Sequence, residues 1–112
     1  MATYHYLVLT KAVEGQEQAF ADWYDDQHIP DCLRVAGVTG AKRYKILNQV
    51  LSPNAAAPTQ GSPFDSLAIY EFETDDPTAL AFHLLSIAGT QAMPLSPAFD
   101  RTGTVKFMAV DA

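Results

Sequence analysis

Apolar positions recur along this chain with two periods, two residues in some stretches and near 3.6 in others, and the changes between them mark six elements. Residues 4–10 form a dense run of aromatic and branched side chains, which predicts a strand with His5, Leu7 and Leu9 on one side and Tyr4, Tyr6 and Val8 on the other. Both sides are apolar, so this strand needs cover on both faces, and in a small chain one cover could be a second subunit. Residues 14–28 have helix-forming composition. Phe20, Trp23, Tyr24 and Gln27 share one face, His28 flanks it four residues after Tyr24, and Asp22, Asp25 and Asp26 lie outside it. Pro30 is expected to stop this helix, leaving His28 in its last turn.

Residues 31–35 suit a short extra turn, and Gly37 and Gly40 punctuate the approach to a second strand over residues 39–47, where Lys42, Arg43 and Lys45 cluster. Residues 48–65, rich in Pro, Ala, Ser and Gly, make a connection of about 18 residues, longer than a simple link needs. It reads as a lid or as an insertion. Residues 67–73 predict a third strand, with Ala68, Tyr70 and Phe72 on one face and Leu67, Ile69 and Glu71 on the other. Asp76 followed by Pro77 is a helix start, an N-cap carboxylate before proline at the first helical position. That helix runs to Ala88 and ends at Gly89, with Leu80, Leu84 and Ile87 facing the core and His83 beside them. Residues 89–102 read as irregular and residues 105–110 as a closing strand.

The order strand, helix, strand, strand, helix, strand is the split βαβ plan of an α+β ferredoxin-like fold, a four-stranded antiparallel sheet with two helices across one face. With 112 residues and 48% hydrophobic content, one domain spanning residues 1–112 is expected. The bare face of the sheet predicts a homodimer in which two sheets pair.

Charge narrows the partners. A formal net charge of −6, with acids spread along the chain, argues against nucleic acid or an anionic membrane and leaves a small molecule or a protein. Cys32 is the only cysteine and cannot form an internal disulfide, which fits a reducing cytoplasm. No signal-peptide pattern and no run of about 18 apolar residues occurs.

The string Phe20-Ala21-Asp22-Trp23-Tyr24-Asp25-Asp26-Gln27-His28-Ile29-Pro30-Asp31, followed by Val35, Gly37, Val38, Ala41, Arg43 and Tyr44, resembles the pattern of the EthD-like proteins of the dimeric α+β barrel superfamily. Ala36 stands where that pattern has proline. The resemblance covers about a quarter of the chain. It implies a homodimer whose sheets pair into a barrel, with a cleft in each subunit between sheet and helices. Superfamily members include cofactor-free monooxygenases, polyketide cyclases, lactone isomerases and haem-degrading enzymes, so the fold does not choose the reaction.

The side chains expected to line that cleft are His5, Leu7 and Leu9, then Ala68, Tyr70 and Phe72, from the sheet, with Phe20, Trp23, Tyr24, His28 and His83 from the helices. Such a site suits a flat, hydrophobic, oxygenated ligand. Proton transfer next to a carbonyl needs no metal: His28 serves as base, Tyr24 or His5 hydrogen-bonds the enolate oxygen, and Asp31 orients His28. The helix dipole favours a cationic His28, and Asp25 or Asp31 could take its second N–H. Arg43 could hold a carboxylate if its face turns inward. His5 is similar to the strand histidine of olivetolic acid cyclase. No metal or cofactor is expected: the three histidines lack close ligand spacing, and the first-strand asparagine and third-strand tryptophan of haem-degrading relatives are missing. Phosphate loops, an activated-serine motif and a dinucleotide fingerprint are absent. The rival reading is a non-catalytic ligand-binding or accessory dimer in a degradation or stress pathway, in which Trp23 and Tyr24 are core and His28 and His83 are boundary residues.

Overall fold

The computed structural model describes residues 2–112. In chain order it contains β1 (Thr3–Ala12), α1 (Glu17–Trp23), a π-helical turn (Tyr24–His28), α2 (Ile29–Leu33), β2 (Val38–Lys45), β3 (Gln49–Val50), β4 (Thr59–Gln60), β5 (Ser66–Glu73), α3 (Pro77–Ile87) and β6 (Phe99–Ala109). The main sheet has strand order β2-β5-β1-β6, antiparallel throughout, which is the ferredoxin-like α+β arrangement. The long middle segment carries its own two-stranded hairpin, β3 with β4.

The first helix does not stop at Pro30. Ile29 N–H donates to the Tyr24 carbonyl five residues back, and the chain continues as α2 to Leu33. A proline inside an α-helix would clash with the carbonyl four residues before it and remove a donor. The widened turn re-registers the ladder just ahead of Pro30, so the helix continues rather than ends. α3 starts as the sequence indicates: the Asp76 carboxylate accepts from Ala79 N–H at 3.0 Å with Pro77 in the first turn.

Register decides which face of β1 is inside. Tyr6 pairs with Tyr70 and Val8 with Ala68, and directly opposed residues share a face. Tyr6, Val8 and Thr10 therefore lie under the helices, buried together with Ala68, Tyr70 and Phe72. His5, Leu7 and Leu9, expected in the cleft, occupy the other face with their partners Glu71, Ile69 and Leu67. Periodicity could not choose between two apolar faces; pairing does.

The core runs between this inner face and the helices, with Phe20, Tyr24, Phe72, Met93 and Ala98 almost wholly buried. Gly37 is fixed by close approach: at φ 96°, a side chain there would also meet Leu80 at 2.9 Å. No helix covers the outer face among the described residues, and Tyr44, Val105 and Phe107 on it are 42%, 37% and 54% exposed. Among the described residues no helix is long and apolar enough to cross a membrane.

Candidate functional site

A cavity of about 270 Å³ opens between the inner face of the sheet and the helices, just under the usual size range of small-molecule sites. Its floor is Tyr6, Val8 and Thr10 of β1, Tyr70 of β5 and Phe99 of β6; Trp23, Tyr24, His28 and Cys32 form one wall. Leu84 and Leu85 of α3, with Ala88, Met93 and Leu95 just beyond it, form the opposite wall.

The π-turn sets the aromatic wall. In a regular α-helix Trp23 and His28, five residues apart, would point about 140° away from each other. The wider turn brings their ring centroids to 4.8 Å, and Tyr24 meets the same imidazole edge-on at 5.1 Å. Trp23 is pinned from the other side by a 3.2 Å hydrogen bond from its Nε1–H to the Pro94 carbonyl and by stacking on Phe99. His28 thus sits between two aromatic rings, with Nε2 3.7 Å from Cys32 Sγ and Nδ1 buried without a partner among the described residues.

Burial dominates the titration of this wall. It pushes His28 down from 6.5 to about 4, helped by the nearby Lys106 ammonium. It pushes the Tyr24 phenol up to about 12 and the Cys32 thiol up to about 11, and raises Tyr70 well above its ordinary value. The interior at neutral pH is therefore uncharged: an imidazole, a thiol and two phenols whose oxygens lie 3.3 Å apart. The Thr10 and Thr104 hydroxyls beside it have no hydrogen-bond partner among the described residues. A cationic His28 was the expectation from the helix dipole; instead the helix continues past it, and desolvation sets its charge.

Acid stability follows directly. Because the folded pKa of His28 lies below the unfolded value, its contribution is fully present above pH 6.5 and is lost as pH falls towards 4, about 3 kcal/mol in all. Urea titrations from pH 7 to 4 should show a steeper loss of stability for the native protein than for His28→Gln. Parallel curves would mean that His28 titrates normally.

Several expected site residues stand elsewhere. Asp31 does not orient His28: it is 3% exposed and is taken up by Gln27 Nε2 at 2.8 Å and by the Arg34 guanidinium. Asp25 is bound by Arg43, whose Nε and terminal nitrogen donate to its two oxygens at 2.6 and 2.8 Å. That pair holds the Asp25 carboxyl below its usual range and raises Arg43. Arg43 does turn inward, stacking over Tyr24 at 5.6 Å, yet it is engaged in fastening β2 to the π-turn and is not part of the cavity wall. His83 is exposed on α3, one residue before the buried Leu84 and so rotated off the packed stripe. Phe20, Ala68 and Phe72 are core behind the wall. His5 faces outward, 3.4 Å from Asp111.

The closing strand expected at residues 105–110 is only the second half of β6. Residues 89–102 were expected to be irregular throughout, whereas β6 begins at Phe99 and bulges: its segment between Asp100 and Val105 lies opposite the much shorter stretch from Lys11 to Leu9. Bulges re-aim side chains, and Arg101, Thr104 and Lys106 all line the cavity. The signal was present as alternation, with polar Thr104 and Lys106 between apolar Val105 and Phe107. On the central strands polar residues including His5, Glu71 and Lys42 fall instead on the outer face. Among the described residues no three His, Cys, Asp or Glu side chains converge as metal ligands.

The fold is shared with solved structures of EthD proteins. An ethyl tert-butyl ether d (EthD) family protein of Bacillus halodurans C-125 superposes with a TM-score of 0.54 at 18% identity, covering 98% of this chain and 99% of that one. An EthD-like protein of Ralstonia eutropha JMP134 superposes with a TM-score of 0.60 at 11% identity, covering 98% and 92%. No protein-family profile and no curated protein sequence matches the chain.

Proposed function

We propose that the cleft binds a hydrophobic carbonyl or aromatic, polyketide-like compound and moves protons beside its carbonyl by metal-free acid–base chemistry, as a cyclase, an isomerase or a cofactor-independent monooxygenase does. One observation carries this reading: His28 stands in the wall of an open, aromatic-lined cavity, with one buried ring nitrogen lacking a partner among the described residues and with burial favouring its neutral form. A base must be unprotonated to act, and burial keeps it so. With His5 on the outer face, Tyr24 and Tyr70 take over the stabilising role, since their paired phenols are protonated and can donate to a developing enolate oxygen.

The reading includes a homodimer, in which the apolar outer faces of two sheets cover each other. Closing those faces would leave each subunit's cleft open at its own mouth.

The second reading, a non-catalytic ligand-binding or accessory dimer in a degradation or stress pathway, draws on the same imidazole. A base with a pKa of about 4 is weak in the empty site, and only a bound oxyanion would raise it towards neutrality. Exchange of the α-protons of 4-phenyl-2-butanone into D2O, followed by proton NMR, separates the two. Catalysis predicts exchange above the buffer rate that falls by about 10²–10⁴-fold in His28→Gln. Exchange at the buffer rate with both proteins would remove the enzyme reading and leave the binding one.

A further inference from the structure

The chain has 7 Lys and Arg residues against 13 Asp and Glu, so cations that find no carboxylate stand out. Lys11, Arg34 and Arg43 are each ion-paired. The other four, Lys42, Lys45, Arg101 and Lys106, make neither an ion pair nor a side-chain hydrogen bond among the described residues, and of these Arg101 and Lys106 line the same cavity. Both are also exposed, which puts them at its mouth.

Their placement is built by the strand. Lys106 lies opposite Val8 on the helix-facing side of β6, while Val105 and Phe107 turn outward opposite Leu9 and Leu7. A strand that sends its cation toward the cleft and its apolar residues away from it reverses the order that burial within one chain would favour. The bulge adds Arg101 to the same mouth. The cost of this arrangement is visible in the charges: burial and then Arg101 push Lys106 down, and burial and then Lys106 push His28 down. Two cations that repel each other border one space with a neutral imidazole and no acid among them, and an anion placed there would relieve that repulsion. Deeper in, the walls are aromatic and aliphatic and the phenols and thiol keep their protons, so a charged group is disfavoured there.

We propose that the cleft takes an amphipathic carboxylate, its aromatic or branched hydrocarbon body seated against Trp23, Leu84 and Phe99 and its carboxylate held at the mouth by Arg101 and Lys106. This rests on the cleft being the ligand site, and it narrows the substrate class to carbonyl or aromatic compounds that also bear an acid group.

Trp23 is the only tryptophan and lines the cavity, so its fluorescence reads occupancy. Titration with 4-isopropylbenzoate and with its neutral twin 4-isopropylbenzamide should show the carboxylate binding about tenfold to hundredfold more tightly, an advantage that shrinks as salt is raised to about 0.5 M. In the double variant Arg101→Gln, Lys106→Gln the two dissociation constants should converge while the amide's stays where it was, which also reports that the variant is folded. Equal affinities in the native protein, or a preference that survives the double substitution, would overturn the carboxylate assignment and leave the cleft as a ligand site. Absence of any fluorescence or calorimetric response to either probe would overturn both.

Discussion

Phe20→Ala is expected to lower the unfolding free energy by about 3–5 kcal/mol, a large share of the roughly 5–15 kcal/mol that holds a domain together. Phe20 is 2% exposed and touches Trp23, Tyr24 and Phe99 with ring centroids 6.0, 5.5 and 6.0 Å away. Those three rings are themselves restrained: Trp23 by its bond to Pro94, Tyr24 by Tyr70 and Arg43, and Phe99 by strand pairing with Ala12. They cannot collapse into the void, so most of the lost contact stays lost. Because the same rings form the wall around His28, the variant should also lose ligand affinity. Guanidinium unfolding followed by circular dichroism measures the first effect; a change below about 1 kcal/mol would mean that the helix is not packed as described.

If the outer faces pair as proposed, Phe107→Glu is expected to give a monomer, weakening association by about a thousandfold or more. Phe107 stands on the uncovered face at the edge strand β6, opposite Leu7 and 54% exposed in the single chain. The substitution therefore removes little packing within a subunit. In a twofold interface each change occurs twice, and each buries a carboxylate among Leu7, Leu9 and Val105. Size-exclusion chromatography with light scattering at micromolar concentration should give a dimer for the native protein and a folded monomer for the variant. A native monomer would mean that the apolar face has another purpose.

The element order was legible because each signal was local: dense strand runs at residues 4–10 and 67–73, and the Asp76-Pro77 cap. The inner face of β1 was not, since Tyr6 and Leu7 are equally apolar and only the pairing of Tyr6 with Tyr70 distinguishes them. Pro30 was misleading for a related reason: its local rule says stop, and a five-residue backbone bond ahead of it lets the helix continue. The site divides the same way. Trp23, Tyr24 and His28 come together because they belong to one turn, so their spacing already held their proximity. Arg101, Thr104 and Lys106 come from a strand whose bulge is set by β1, at the far end of the chain, and no window around them contains that information. The partners of Asp25 and Asp31 were settled by competition: Arg43 and Arg34 are full cations, and a buried neutral imidazole cannot outbid them.

The claim on which the functional reading turns is that His28 is a neutral, ligand-facing group, and its imidazole resonances in 15N-labelled protein, with and without 4-isopropylbenzoate, test it directly. The ring should remain neutral from pH 8 down to about 5 in the free protein, then shift and gain basicity when the carboxylate saturates the cleft. A ring that titrates near 6.5 and does not respond to saturating ligand would contradict the account.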